Sequence, residues 1–201
     1  MARRLRLFFG LIAVMTVLSG FAFPSDAGLL GTGSASYCDP SSIQAFRPWG
    51  DSSYYMLTPG GSFESGAPSW TLSGGAKVVP GNESFYIHSK SDNRSLYMPS
   101  GSSVSTPTMC FAAGDWHLRF VSKGTGQIRV NVMVNSLLGL VSVLDGGTVS
   151  SGGTWNPSPK VSLLLSNLGG LLTTKAISLR LTATGGASQI DDVYLDPFKD
   201  T

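Results

Sequence analysis

Between the glycines, serines, threonines and prolines that recur every few residues, this chain alternates apolar and polar side chains with a period of two. In 127–134, Ile128, Val130, Val132 and Val134 fall on one side, with Gln127, Arg129, Asn131 and Met133 on the other. In 175–184, Ile177, Leu179, Leu181 and Ala183 alternate with Ser178, Arg180, Thr182 and Thr184. Successive side chains of a strand point to opposite faces, so the pattern predicts strands with one face on a core and one in water. Further strands are predicted at 69–79, 84–88, 95–98, 108–112, 116–122, 140–144, 160–166 and 189–195. Gly/Ser/Pro-rich loops are predicted at 48–62 and 145–160. No amphipathic helical period is sustained beyond the first residues; the apolar stretch 163–172 is ambiguous and could hold a helical turn. Many short strands punctuated by turn residues predict an all-β chain folded as an antiparallel sandwich or barrel.

The start of the chain breaks this pattern. Arg3, Arg4 and Arg6 precede an apolar run from Leu7 to Phe23, Pro24 ends the run, and Ser25-Asp26-Ala27 has the small-x-small form of a cleavage site. Residues 1–27 therefore read as a secretory signal peptide cleaved after Ala27. Because the run approaches the roughly 18–20 apolar residues that span a bilayer, an uncleaved N-terminal anchor is the rival reading. Residues 28–36 read as a flexible leader and 37–201 as the folded domain. No later segment is apolar and long enough to cross a membrane.

Composition then changes meaning. The whole chain carries 14 basic and 12 acidic side chains; the signal takes three Arg and Asp26, leaving 11 of each. The exported part is formally neutral, which argues against a nucleic-acid surface. Cys38 and Cys110, the two cysteines of the chain, form an even pair in an exported protein and so favour a disulfide, two buried free thiols being the alternative. Closing a loop of that length is worth about 4 kcal/mol on the chain-entropy account.

Two motifs go further. Gly60-Gly61-Ser62-Phe63-Glu64-Ser65-Gly66 precedes Trp70 near one end, and Gln189-Ile190-Asp191-Asp192-Val193-Tyr194-Leu195 lies near the other. In that order, over residues 57–197, the chain resembles the galactose-binding-like jelly rolls, particularly the carbohydrate-binding modules of secreted bacterial proteins. The resemblance implies a two-sheet antiparallel jelly-roll sandwich whose first and last strands lie near each other. It also implies one structural calcium held by the Ser62 carbonyl, Glu64, and Asp191 or Asp192, a hard oxygen set of the kind calcium takes. The alternative is that Asp191 and Asp192 form a solvated turn and Glu64 caps a loop. Glu83 is the one nearby candidate for a further acid and is left unassigned.

Sugar binding would need aromatic faces and polar groups beside them. The candidates are Tyr86, His88, Tyr97, Arg119, Arg129 and Arg180, predicted to face away from the core, and Trp155 in a Gly-rich loop. Arg119 and Arg180 each sit in a Leu-Arg-apolar triplet and are candidates for neighbours on one sheet. The plain alternative is that all are polar positions on solvated sheets. Trp70 and Trp116 read as packing residues. With two His, no Gly-x-Ser-x-Gly elbow and no phosphate-binding loop, the chain does not read as an enzyme. The expected function is a secreted or cell-envelope binding domain for glycan, or else a structural or adhesive surface domain with a protein partner.

Overall fold

The computed structural model describes residues 41–110, 116–136, 139–163 and 176–196. The predicted signal, the leader, the Cys38 partner of the expected disulfide and nearly all of 163–172 lie outside the described residues.

Within them the chain forms β1 (Met56–Leu57), β2 (Thr71–Ser73), β3 (Lys77–Pro80), β4 (Arg94–Met98), β5 (Ser103–Ser105), β6 (Met109–Cys110) and β7 (His117–Gly124). It continues as β8 (Gln127–Ser136), β9 (Gly139–Ser150), β10 (Asn156–Pro157), β11 (Val161–Ser162), β12 (Ala176–Thr184) and β13 (Ser188–Asp196). Two antiparallel sheets result. One runs β10-β7-β13-β4-β3, with β1 added on β13 and β11 on β7; the other runs β2-β5-β12-β8-β9, with β6 added on β12. The chain is an all-β, two-sheet jelly-roll sandwich.

The alternating residues explain the interior. Ile128, Val130, Val132 and Val134 of β8 and Ile177, Leu179 and Leu181 of β12 are fully buried. They join one cluster with Leu118 and Phe120 of β7, Leu96 and Met98 of β4, and Ile190, Val193 and Leu195 of β13. Trp70 and Trp116 belong to the same cluster.

Several strand boundaries differ from the expectation. The predicted strand 69–79 is two strands, because Gly74 and Gly75 both adopt positive φ (68° and 84°) and turn the chain back. The predicted loop at 145–160 is strand as far as Ser150, the extra residue Gly146 being absorbed where the β8–β9 register slips between Val130 and Asn131. Residues 84–88 are not a strand. There Tyr86 has φ 55°, and the backbone N–H groups turn to carboxylates rather than to a neighbouring strand. The pieces β1, β5 and β10 are two or three residues long, too short to carry an alternation.

Strands β7 and β13 are buried on both faces over residues 118–122 and 190–196. Ala45, Phe46, Tyr55 and Tyr194 form a second cluster, with Leu57 and Ile87 packed against it. The Phe46 ring meets Tyr55 and Tyr194 edge-on at 5.1 and 5.8 Å, a favoured aromatic arrangement. This cover turns part of what would be a solvated sheet face into interior.

The two motif regions meet. Thr58 N–H donates to the Val193 carbonyl at 2.9 Å, and Val193 N–H donates to the Gly61 carbonyl at 3.1 Å. A Cβ at Gly61 would stand 2.4 Å from Thr58 Oγ1 and 2.8 Å from the Val193 carbonyl oxygen. Gly61→Ala is therefore expected to cost about 1–3 kcal/mol through overpacking, read as a fall in the urea midpoint at unchanged slope. A midpoint equal to wild type would mean this junction yields freely.

Candidate functional site

The outer face of the β4/β13/β7 sheet carries two neighbouring features, a groove and a buried acid cluster. In the groove, Tyr97 of β4, Gln189 of β13 and Lys123 of β7 stand in one cross-strand row, and Lys77 of β3 continues it beyond Tyr97. Directly opposed side chains on adjacent strands are close enough to act together. A cavity of about 380 Å³ opens over the row, bordered also by Gly124, Gly153 and Thr125. The Lys123 ammonium lies 4.6 Å from the centre of the Trp155 ring, placing that indole beside the groove. Gln189 Nε2 donates to Ser95 Oγ at 2.6 Å, which orients its amide.

Two residues further along β13 lies the acid cluster. The spacing of Ile190-Asp191-Asp192-Val193 requires it: both apolar residues enter the core, which a regular strand cannot do at a separation of three. A bulge between Asp191 and Tyr194 resolves the conflict, with Asp192 at φ 49°. Both carboxylates are buried, at 0% and 1% exposure. The 83–88 loop folds over them. Glu83 N–H donates to Asp191 Oδ2 at 3.1 Å, and His88 N–H donates to Asp192 Oδ2 at 3.1 Å. The buried Glu83 carboxylate in turn accepts the N–H groups of Phe85 and, at 2.6 Å, Ile87. With the Asp192 N–H, which donates to Asp191 Oδ1 at 2.9 Å, five backbone donors answer three acids. Burial and the Asp192 charge push Asp191 up to about 9, against the N–H groups of Glu83 and Asp192. Burial pushes Asp192 up to about 7, the His88 N–H opposing and the Glu83 charge adding to it. Asp192 Oδ1 and the Tyr194 hydroxyl are buried without a hydrogen-bond partner among the described residues.

The predicted ligand residues do not share one surface. Tyr97 lines the groove, and Trp155 lies against Lys123 at its side. Tyr86 is half exposed on the loop above the acids, where His88 Nδ1 bonds Asp92 Oδ2 at 2.7 Å. Arg129 and Arg180 stand on the other sheet, Arg129 exposed and paired with Asp145, Arg180 with Nε 3.4 Å from Ser105 Oγ. Arg119 is interior rather than outward-facing. It donates to Asp51 Oδ2 at 2.8 Å and twice to the Ser158 carbonyl, beneath the Phe46 ring at 4.3 Å. The expectation that Arg119 and Arg180 are neighbours is corrected, since β7 and β12 belong to different sheets. Alternation misplaced Arg119 because the second cluster covers that face.

Of the predicted metal residues, Ser62 borders the junction with β13. Glu64 Oε1 accepts the N–H groups of Asn93 and Arg94 at 2.9 and 2.7 Å, just ahead of β4. Sequence reasoning passed over Asp51, Asp92, Lys123 and Gln189. Only the four-residue separation of His88 and Asp92 offered any signal.

No protein-family model and no curated protein matches the sequence. Among solved structures, the fold is similar to the enzymatically active domain of tailspike protein 4 of bacteriophage CBA120. That likeness has a TM-score of 0.51 at 15% identity, over 71% of this chain and 21% of that one. The chain thus spans about a fifth of the length of that tailspike domain. The CBM22-1 xylan-binding domain of Paenibacillus barcinonensis Xyn10C gives a TM-score of 0.49 at 14% identity, over 74% of this chain and 97% of that one. The K1 cleaved adhesin domain of Lys-gingipain from Porphyromonas gingivalis W83 gives 0.44 at 17% identity, over 70% and 96%.

Proposed function

We propose that this chain is an exported, non-catalytic glycan-binding domain whose site is the groove over Tyr97, Gln189 and Lys123 beside Trp155. The observation that carries the reading is the convergence there of two aromatic side chains far apart in sequence, together with an oriented amide and an ammonium. A sugar ring presents an apolar C–H face and a rim of hydroxyls, which such a mixed surface accommodates. On a glycan array, the full chain is expected to bind a defined saccharide class. Tyr97→Ala and Trp155→Ala are each expected to weaken that binding about tenfold, some 1.4 kcal/mol. Arg129→Ala and Arg180→Ala, on the opposite sheet, are expected to leave it unchanged. Binding indifferent to both aromatic substitutions would remove the groove from consideration.

A second reading, an adhesive domain with a protein partner, is favoured by one feature. Trp49 and Phe85 meet edge-on at 5.0 Å while both remain exposed, with exposed Tyr86 adjoining in sequence. A chain that ignores every glycan yet loses a protein partner on Tyr86→Ala would support it.

The calcium implied by the resemblance is proposed for the oxygen set of the Ser62 carbonyl, Glu64, and Asp191 or Asp192. Its support is the meeting of the two motifs, where Val193 N–H donates to the Gly61 carbonyl at 3.1 Å, beside the buried carboxylates of Asp191 and Asp192. Calcium is expected to raise the melting temperature over chelated protein, and Glu64→Ala to abolish the rise. A rise that survives Glu64→Ala would retire this set.

A further inference from the structure

We propose that His88, Asp92 and Asp192 form a site for a divalent transition-metal ion of the zinc class, apart from the glycan groove and sharing at most Asp192 with the oxygen set above. One donor atom from each of the three lies within 4.8 Å of the others. Asp92 and Asp192 are buried at 8% and 1% exposure, while the His88 side chain is 39% exposed. The cluster therefore has a closed carboxylate floor and an imidazole at its mouth. A turn sets the reach: Asp92 N–H donates to the Ser89 carbonyl at 3.2 Å, bringing the Asp92 carboxylate back to His88 Nδ1.

The second observation is the bare oxygen. Asp192 Oδ2 accepts the His88 N–H, but Asp192 Oδ1, although buried, has no hydrogen-bond partner among the described residues. A buried acceptor left unsatisfied carries its whole desolvation cost. A cation at the cluster would supply what the protein does not.

Donor chemistry selects the ion. Calcium takes six to eight oxygens, whereas imidazole nitrogen with carboxylate oxygens suits zinc at about 2.0–2.2 Å from each. Around such an ion adjacent donors stand ~3.3 Å apart, so the His88–Asp92 contact at 2.7 Å opens by ~0.6 Å while the wider separations, within 4.8 Å, close. The exposed side of His88 leaves room for water in the fourth position.

The test uses the full chain, stripped with EDTA and dialysed, titrated calorimetrically with zinc chloride in excess calcium chloride. One equivalent is expected to bind. His88→Ala and Asp92→Asn are each expected to weaken binding more than ~10-fold, with circular dichroism confirming that both stay folded. Cobalt(II) in place of zinc is expected to give visible absorption that His88→Ala abolishes. Tyr97→Ala is expected to leave zinc binding intact, so a failed glycan groove and a failed metal site remain distinguishable. Absence of saturable binding, affinity unchanged in both variants, or displacement of zinc by calcium would overturn the site.

Discussion

Arg119→Met is expected to lower stability by about 3–5 kcal/mol, the cost of removing one partner from a buried ion pair. The guanidinium satisfies three acceptor contacts at once, one on Asp51 and two on the Ser158 carbonyl, and its carbon lies 4.3 Å from the Phe46 ring centre. Methionine fills the space but donates nothing, so the buried Asp51 keeps only Tyr55, Ser53 N–H and Lys160. Burial alone would raise Asp51. Hydrogen bonds from Tyr55, Arg119, the Ser53 N–H and Lys160 overcome it and hold the group below the usual carboxylate range. For a domain of this size the loss corresponds to a fall of roughly 10 °C in Tm. Differential scanning calorimetry at neutral pH checks it. The exposed Arg129–Asp145 pair is the control, since substituting Arg129 is expected to leave Tm where it was. Equal effects at the two arginines would mean that the Phe46 cover does not exclude water from Arg119.

Metal-free protein is expected to be more stable at pH 5 than at pH 8, and Asp191→Asn to remove most of the difference. Asp191 and Asp192 are raised from 3.8 to about 9 and about 7. Between these limits the folded state holds more protons than the unfolded one, and stability then falls as pH rises. The contribution is complete below the unfolded value near 4 and is lost progressively as pH climbs through the folded values. At about 1.4 kcal/mol per unit, a displacement of only two units in one group amounts to roughly 3 kcal/mol. Asp51 has the opposite sign, but its stabilisation is lost only below about pH 4, outside this window. Urea melts of chelated protein at the two pH values measure the effect. Greater stability at pH 8 would show that the acids stay ionised in the fold, answered by the backbone donors alone.

Each misreading has a local cause. The strands at 127–134 and 175–184 were legible because each buries one face and wets the other, which leaves a two-residue period in the sequence. Residues 84–88 carry the same alternation without forming a strand. Their N–H groups serve Glu83 and Asp192 instead of a ladder, so Phe85 and Tyr86 stand exposed at a loop tip rather than on opposite faces. At Arg119 the local pattern was correct, and what the alternation could not contain was Phe46, some seventy residues earlier, folded over it. Ile190-Asp191-Asp192-Val193 is the reverse case. Its apolar residues are spaced wrongly for a plain strand, which is a legible bulge, yet the burial of both acids depends on the distant 83–88 loop.

Period-two alternation and glycine punctuation were enough to dictate an all-β sandwich, because those signals act between near neighbours or recur along the chain, while the meeting of its ends was what the resemblance carried by the end motifs implied. Tertiary structure alone decided which polar residues remain in water. It buried Arg119 and the two β13 acids, placed Arg129 and Arg180 on the far sheet, and brought Tyr97, Gln189 and Lys123 into one row. Whether the outer face of a strand is surface or interior depends on which remote segment lies across it, and no local pattern encodes that.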